Sequence, residues 1–273
     1  MKDRACIEFL QWALPKLQLL WPGFRRVRHQ VCKRLDRRMK ELNLAGPAAY
    51  QEYLQMHPAE WQVLDGLCRI TISRFYRDRG VFDSIGEVIL PALAQMVAGS
   101  GGDTVRCWCA GCASGEEPYT LTMIWEFRVK QNFPKIDLQI TATDVDPVVL
   151  ARSKGKCYPQ SSLKELPADW LMAAFEKREK QFCLLPHFSE NISFAAQDIR
   201  LAAPEGRFHL IFCRNLAFTY FNKKLQHEIA ARIYDTLLPG GAVVVGIHEY
   251  FPWAGEGISP WIRNKKIYRK DLD

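Results

Sequence analysis

The stretch from Val105 to Tyr119 sets the expectation for the whole fold, because its pattern changes twice. It starts as an apolar-rich strand, passes through small residues between Ala110 and Gly115, and continues as a helical pattern to Phe127. A strand, a small-residue turn and a helix in this order bring backbone close to a nucleotide-like ligand at the carboxyl end of a sheet. We therefore expect an α/β fold with a ligand site at this turn.

The remainder of the second half alternates between strand and helix patterns. Repeated βα units predict a Rossmann-like, mostly parallel sheet with helices on both faces and an antiparallel edge strand. Strands are predicted at Thr104–Ala110, Asp137–Thr143, Ile192–Ala196, Phe208–Cys213 and Ala242–Gly246, with an edge strand or hairpin arm at Trp261–Tyr268. Helices are predicted at Glu116–Val129, Pro147–Lys154, Ser162–Arg178 and Asn222–Leu238, and Gln181–Leu185 is a short apolar run.

The first part of the chain carries helical periodicity, which predicts a small all-α domain before the α/β domain. A further helix is predicted at Phe82–Ala98, broken at Pro91, and Gly99–Asp103 is a predicted flexible joint. The predicted division is a helical domain at residues 1–83, a linker helix and joint at 84–103, and the α/β domain at 104–273. Residues 156–190 form a predicted small insertion in the last of these.

Composition limits the class of protein. No apolar run approaches the roughly 18 residues that span a bilayer, and the first residues lack the apolar core of a signal peptide. We expect a cytoplasmic protein, without membrane insertion and monomeric. The nine cysteines are expected to be reduced thiols packed as small hydrophobic groups. Cys107, Cys109 and Cys112 suggest zinc, but structural zinc needs four ligands and no second Cys/His pair is near, so we expect no metal.

A strongly basic segment lies in the helical part of the chain. Phe24–Lys40 contains eight Lys or Arg residues against one Asp, within a chain of net charge +7. Val31 and Leu35 belong to an apolar stripe at helical spacing, so the other faces of the predicted helix are cationic. Two interpretations remain open: a solvated amphipathic helix, or a surface for an acidic partner such as a protein or nucleic acid.

Three predicted strand ends carry polar groups: the Gly111–Glu117 turn, Asp144, and the pair Arg214 and Asn215. The turn is neither a P-loop nor a G-x-G-x-x-G fingerprint. Glu116 and Glu117 would repel a pyrophosphate but suit a cationic ammonium, and Asp144 suits two ribose hydroxyls. Adenosine together with an ammonium group points to S-adenosylmethionine (SAM).

The segment Ala110–Tyr119 closely resembles the A-G-C-S-T-G-E-E-P-Y motif of the CheR family, SAM-dependent methyltransferases that esterify glutamates of chemoreceptors. The resemblance continues in Ser73–Arg77, in Ala142–Asp146, in Phe208–Asn215 and in Leu238–Gly241, and it covers nearly the whole chain. It implies a class I SAM-methyltransferase fold, with S-adenosyl-L-homocysteine as the product.

The resemblance also implies site residues. Thr71, Ser73 and Arg77, which precede the predicted linker helix, would contact SAM from the linker side. Arg77 would lie at the reacting centre. Further contacts to the cofactor would come from Gly111, Glu116 at the methionyl end, Asp144 at the ribose, Asp198 and Ile199 at the adenine, and Arg214 and Asn215 at a strand end. Tyr220 matches an active-site tyrosine if one residue is inserted after Asn215. Lys33, Arg34, Arg37 and Arg38 resemble the helix that docks the receptor.

A sulfonium methyl is already activated, and a carboxylate is its own nucleophile, so a cation such as Arg77 would suffice to orient the acceptor. Glutamate carboxylates of an acidic helical protein, such as cytoplasmic helices of a chemoreceptor, are the expected acceptor. Three alternatives remain: a small molecule or another protein group as acceptor, a non-catalytic SAM-binding module, and, more remotely, nucleic-acid methylation. Whether residues 156–190 bind a peptide, as the matching family segment does in some members, also stays open.

Overall fold

The computed structural model describes residues 3–253 and 255–272. The helices are α1 (Asp3–Ala13), α2 (Trp21–Phe24), α3 (Arg28–Glu41), α4 (Pro47–Met56), α5 (Glu60–Cys68), α6 (Arg79–Ser84), α7 (Leu90–Gly99), α8 (Glu116–Ile124), α9 (Pro147–Gly155), α10 (Ala168–Ala174), α11 (Ala217–Tyr220) and α12 (Lys223–Thr236). The strands are β1 (Thr104–Ala110), β2 (Asp137–Asp144), β3 (Cys157–Pro159), β4 (Phe175–Arg178), β5 (Gln181–Leu184), β6 (Ile192–Ala196), β7 (Phe208–Cys213), β8 (Leu237–Val245), β9 (Ile258–Ile262) and β10 (Ile267–Lys270).

The chain forms two compact units. The first runs to Ile70 and includes Leu216–Gln226, and the second comprises Thr71–Asn215 and the chain from His227 onward. This division falls at residue 70, whereas the sequence predicts domain boundaries at residues 83 and 103, and those boundaries stay a prediction. The sequence did not indicate that a segment after β7 belongs to the first unit.

The first unit is helical, as predicted. The apolar stripe of α3 is buried at Val31, Leu35 and Met39. Its core also contains a buried carboxylate, because Glu60 is only 5% exposed. Arg38 donates to both oxygens of Glu60, at 2.9 and 2.8 Å, and the Tyr50 hydroxyl donates to Oε1 at 2.8 Å. The ion pair compensates the desolvation of the buried charge.

The segment that returns to this unit after β7 is held by backbone contacts. The Leu20 amide donates to the Tyr220 carbonyl at 2.7 Å, and the Asn222 amide donates to the Gln18 carbonyl at 2.7 Å. The rings of Phe24 and Tyr220 lie 5.1 Å apart. α11 therefore packs on α2 within the first unit.

The second unit is built on a seven-stranded sheet with the order β6-β2-β1-β7-β8-β10-β9. β6, β2, β1, β7 and β8 are parallel to one another, and β10 is antiparallel to both β8 and β9. β7 is buried along its whole length, as expected of a central strand covered on both faces. The predicted α/β class, with a mostly parallel sheet and an antiparallel edge, is confirmed. Trp261–Tyr268 was predicted as one strand or hairpin arm and is instead the turn of the β9–β10 hairpin with parts of both strands.

The predicted break at Pro91 is wrong. Helical structure runs without interruption over Arg79–Gly99, because a π-helical segment at Ile85–Ile89 precedes the proline and accommodates its missing N–H group. By length and hydropathy this helix alone, among the described residues, could cross a membrane, and half of its most apolar window is buried inside the fold. Its packing in the core of the second unit accounts for its apolar composition.

The predicted helix Ser162–Arg178 is also wrong in part. Only Ala168–Ala174 is helical, and Phe175–Arg178 forms strand β4, which pairs with β5. β3, β5 and β4 make a separate three-stranded antiparallel sheet, so the insertion contains more strand than its sequence indicates. Glu179, in the left-handed region with φ of 52°, makes the tight turn between β4 and β5.

Two pairs of cysteines correct the expectation of nine free thiols. Cys6 is bonded to Cys32, and Cys157 to Cys183, its cross-strand partner. The five others, Cys68, Cys107, Cys109, Cys112 and Cys213, are free and buried, as expected. Burial raises the pKa of the thiols of Cys107, Cys109 and Cys112. Within residues 3–253 and 255–272 no group of three or more Cys, His, Asp or Glu side chains is arranged to hold a metal ion.

His209 lies in β7 and is 8% exposed, as expected for a packed strand residue. Its Nδ1 accepts a hydrogen bond from the Arg106 amide at 2.9 Å, so the neutral ring is part of the β1–β7 contact. Burial, together with the charge of Arg106, lowers the pKa of His209 to about 4.

We predict that this histidine destabilises the fold in acid. Between its unfolded pKa near 6.5 and its folded pKa of about 4, only the unfolded chain binds the proton, so stability falls as pH falls through this window. The difference amounts to about 3 kcal/mol of unfolding free energy. Chemical denaturation at pH 7 and pH 4.5 should show a larger acid loss for the wild type than for His209→Gln. A ring that titrates near pH 6.5 by NMR would contradict the prediction.

Candidate functional site

The turn after β1 is held by the end of β2. The amides of Gly111 and Cys112 donate to the Thr143 carbonyl at 2.8 and 3.0 Å. Gly115 adopts φ of 90°, and a Cβ there would lie 2.8 Å from the Tyr119 ring and 2.9 Å from Ser153. Only glycine fits both the backbone angle and this close packing. The turn is thereby tight and positioned at the carboxyl end of the sheet.

Asp144 joins the turn to the second strand end. Its carboxylate accepts from the Ala113 amide at 2.9 Å through Oδ2 and from the Asp146 amide at 2.9 Å through Oδ1. Ala113 takes a left-handed conformation, with φ of 48°, that points its amide toward this carboxylate. The half-buried carboxylate is therefore fixed in orientation beside the turn.

Glu116, the first residue of α8, is buried and incompletely paired. It is 5% exposed, and its Oε2 has no hydrogen-bond partner among the residues that the structure describes. Burial raises the pKa of Glu116, although its own amide, the Ser73 hydroxyl and the charge of Arg152 oppose the rise. A buried carboxylate oxygen without a donor costs free energy unless a ligand supplies one. Ser73 and Glu116, two predicted site residues, are thus brought together.

Glu117 belongs to a different network. Its Oε2 accepts from Arg214 Nη1 at 3.2 Å, and the Arg214 side chain is only 3% exposed. Arg214 Nη2 also donates to Asp78 Oδ2 at 2.6 Å and to the Arg77 carbonyl at 3.2 Å. One guanidinium therefore connects a strand end, the first turn of α8 and the segment of residues 71–78 between α5 and α6, which we call the linker. Arg214 Nε is buried without a partner in the described part of the chain.

This arrangement holds Arg77 in place. Its neighbours Tyr76 and Asp78 both have positive φ, at 57° and 63°, so the linker bends sharply on either side of it. The Tyr76 amide donates to Thr120 Oγ1 at 3.2 Å, and the Arg77 side chain donates to the Ile72 carbonyl at 2.9 Å. Burial raises the pKa of Glu117, and the charge and hydrogen bond of Arg214 and, to a smaller extent, the charge of Arg77 oppose the rise.

A third strand end is organised by a residue that sequence reasoning missed. Glu249 is 3% exposed, and its Oε2 accepts from the Asn215 amide at 2.8 Å and from the Gly246 amide at 2.6 Å. A Cβ on Gly246 would lie 2.8 Å from Asn215 Oδ1. The signal available in the sequence was Gly246-Ile-His-Glu249, a glycine and an acid three residues apart directly after a strand. Asp78 was also missed, although it directly follows Arg77, a predicted site residue.

Two further predicted residues lie beyond β6. The Gln197 amide donates to the Asp144 carbonyl at 2.9 Å, which brings this loop beside the second strand end. Asp198 binds the Arg200 side chain, with distances down to 2.7 Å, and the Ile199 carbonyl accepts from Arg232 at 2.7 Å. The structure therefore brings Ser73, Arg77, Gly111, Glu116, Asp144, Asp198, Ile199, Arg214 and Asn215 to one edge of the sheet, and Thr71 begins the same unit.

The remaining predicted residues belong to the first unit. Tyr220 ends α11, where it contacts Phe24. Among the four predicted docking residues only Lys33 and Arg37 are exposed. The Arg34 guanidinium donates to the carbonyls of Leu67, at 3.2 Å, and Arg69 at the end of α5, and Arg38 pairs with Glu60. Arg34 and Arg38 thus serve the packing of this unit.

The sequence matches two family models, described as the CheR methyltransferase SAM-binding domain over residues 71–259 and the CheR methyltransferase all-alpha domain over residues 27–64. A chemotaxis protein methyltransferase of Listeria monocytogenes is 31% identical over 67% of this chain and 66% of its own. A probable chemotaxis protein methyltransferase of Rhizobium etli is 29% identical over 80% of this chain and 83% of its own. An uncharacterized 104.1 kDa protein of Rhodobacter capsulatus is 32% identical over 80% of this chain.

The chain spans 23% of the Rhodobacter protein and 66% of the Listeria protein. The solved N-methyltransferase NodS of Bradyrhizobium japonicum, in complex with S-adenosyl-L-homocysteine, is 17% identical over 62% of this chain and 63% of that chain, and its TM-score of 0.32 supports no conclusion. The family model over residues 71–259 covers the whole sheet-edge site and most of the sequence. The chain belongs to the CheR methyltransferase family.

Proposed function

We propose that this chain transfers the methyl group of SAM to glutamate carboxylates of an acidic, helical protein, such as the cytoplasmic part of a chemoreceptor, and that it acts in the cytoplasm. Membership of a SAM-binding methyltransferase family supports the reaction class. The names of relatives from Listeria and Rhizobium, both chemotaxis methyltransferases, support the acceptor class. The observation that carries the cofactor assignment is the unpaired, buried Oε2 of Glu116.

The residues at the sheet edge fit SAM. An ammonium group would supply the donor that Glu116 lacks and would favour its charged form. Asp144, fixed by two backbone amides, would accept from ribose hydroxyls. Gly111 and the tight turn would let backbone approach the cofactor. Thr71 and Ser73 from the linker, Asp198 and Ile199 near the adenine, and Arg214 and Asn215 at the strand end complete the proposed binding set.

When bound, SAM supplies a methyl group on a sulfonium centre, which needs no further activation. The work of the protein is therefore to position the acceptor and to control charge. In this proposal the Arg77 guanidinium orients the acceptor carboxylate, which attacks as its own nucleophile without a general base. Arg214 fixes Arg77 through the Arg77 carbonyl.

The acceptor surface is proposed on α3, where Lys33 and Arg37 lie one turn apart and exposed. Cations at this spacing present one charged face to an acidic helix.

A different acceptor, either a small molecule or another protein group, is the second candidate, because four residues rather than the three of the family separate Asn215 from Tyr220.

Glu116→Gln should weaken SAM binding by at least about tenfold, because a neutral amide loses about 1.4 kcal/mol or more of charge-assisted interaction with the ammonium. Isothermal titration calorimetry with SAM measures this loss. Glu87→Gln removes an exposed carboxylate of the same unit and should leave affinity unchanged. Wild-type affinity should also fall as Glu116 protonates in acid, and this pH dependence should be smaller in Glu116→Gln. Equal affinity for wild type and Glu116→Gln would refute the assignment.

The wild-type chain with methyl-tritiated SAM should label a chemoreceptor cytoplasmic fragment that carries glutamates, and the label should be released as methanol by base, because methyl esters hydrolyse readily. Arg77→Ala should lower labelling by about 100-fold or more, the scale expected when a charge-stabilising donor is removed. If SAM binds but no base-labile label forms on the fragment, the proposed acceptor is wrong.

Lys33→Glu combined with Arg37→Glu should raise the KM for the same fragment by about tenfold at low salt, and added salt should shrink the difference. The matched control is Lys135→Glu combined with Arg207→Glu, two exposed cations at the amino ends of β2 and β7. An unchanged KM for the α3 variant would exclude α3 as the docking surface.

Arg38→Ala should lower the unfolding free energy by about 3 kcal/mol, since it leaves Glu60 buried and unpaired.

A further inference from the structure

A second group of basic side chains lies on the second unit, outside the segment that the sequence singled out. Arg79 begins α6, and Arg263, Lys265 and Lys266 lie in the turn between β9 and β10. We call these four residues the hairpin patch. Arg79 and Arg263 are exposed, and Lys265 and Lys266 are half-buried. The turn is short, with Lys266 in the left-handed region at φ of 56°, and three of the four cations fall within four consecutive residues.

The patch lies at the same edge of the sheet as the proposed active site. β10 runs antiparallel to β8, so the start of β10 lies beside the carboxyl end of β8, with Ile267 opposite Val244. The Val245 amide donates to the Lys266 carbonyl at 3.1 Å, and the next residue along, Gly246, contacts Glu249 and Asn215.

The patch also touches the start of α6, which directly follows the linker that carries Arg77. The Lys265 ammonium lies against Gly80, 2.5 Å from the point that a Cβ on Gly80 would occupy. Gly80 is three residues after Arg77, and Arg79 follows Asp78, which Arg214 binds. The absence of a side chain at Gly80 lets the hairpin turn pack directly against the start of α6.

None of the four cations forms an ion pair with a carboxylate in residues 3–253 and 255–272. Lys266 instead places its Nζ 3.6 Å from the ring centre of Tyr250, which is 71% exposed. The carboxylates nearest to Arg79 along the chain bind other cations, since Asp78 binds Arg214 and Asp83 binds Arg128. The patch is therefore a positive surface whose charge the fold does not neutralise.

We propose that the hairpin patch binds the acidic residues that flank the acceptor glutamate on the protein substrate. The proposal rests on the proposed function and adds a second contact surface on the catalytic unit itself. Uncompensated cations beside a reaction site raise the local concentration of an anionic partner and orient its approach. Since the patch is beside the site and not remote from it, it favours acceptors whose neighbouring residues are acidic.

The test uses the full chain with the glutamate-bearing chemoreceptor fragment and measures kcat, KM and salt dependence. Arg79→Glu, Arg263→Glu and Lys265→Glu are combined, and Lys266 is kept because it also contacts Tyr250. We expect the KM for the fragment to rise about tenfold or more at low salt, with kcat and the Kd for SAM changed by less than about twofold. At about 0.5 M salt the KM difference should shrink to less than threefold.

The control is again Lys135→Glu with Arg207→Glu, which reverses exposed charges at the opposite edge of the sheet. A fragment whose acidic residues next to the acceptor are changed to glutamine should lose the difference between wild type and the patch variant. A KM equal to that of the wild type overturns the proposal, even where wild-type labelling upholds the proposed function.

Two other outcomes also overturn it. A wild-type chain that labels no glutamate fails at the proposed function, and the patch assignment fails with it. If the patch variant keeps its KM but loses binding to vesicles that contain phosphatidylglycerol, the patch serves an anionic membrane surface and not the protein acceptor.

Discussion

The candidate site depends on the hydrogen bonds and ion pairs of the Arg214 guanidinium. This group is almost fully buried at the end of β7, and a buried charge is tolerated only when neighbouring groups compensate it. Its partners come from two other parts of the chain: Asp78 and the Arg77 carbonyl from the linker, and Glu117 from the first turn of α8. Three segments far apart in sequence are thus fixed to one another by one side chain.

This link explains why two adjacent glutamates take different roles. Glu117 is satisfied by Arg214, so its charge belongs to the framework. Glu116 points to a different environment, keeps a buried oxygen without a donor, and has a pKa raised by burial. The fold therefore leaves one carboxylate incompletely paired, as the proposed binding of a cationic ligand requires, and pairs its neighbour with the arginine that binds the linker. The same linker carries Ser73 toward Glu116, so in the proposed function cofactor binding and acceptor positioning would share one segment.

The sequence predicted the sheet because the strand patterns are local: β1, β2, β6 and β7 were found nearly to the residue. It failed where long-range pairing decides the structure. Phe175–Arg178 has a helical pattern but pairs with β5, and Pro91 is accommodated by a π-helical segment that no local rule indicates.

The sequence indicated where the candidate site residues lie along the chain, but not which side chains they contact. Glycine, acid and strand-end signals predicted Gly111, Glu116 and Asp144 as site residues, and in the structure Gly111 follows β1, Glu116 opens α8 and Asp144 ends β2. The side-chain partners could not be predicted from the sequence, because the contacts join residues that are distant along the chain. Examples are Arg214 with Asp78, and Arg34 with the end of α5. The two disulfides were missed for the same reason, as each joins cysteines 26 residues apart.

The most direct test of this account is a crystal structure of the full chain with S-adenosyl-L-homocysteine bound. The ammonium of the ligand should lie within about 3 Å of Glu116 Oε2, the usual distance of a charge-assisted hydrogen bond, while Arg214 keeps its contacts with Glu117 and Asp78. A ligand bound elsewhere, or an ammonium paired with another group while Glu116 Oε2 stays unpartnered, would contradict the account.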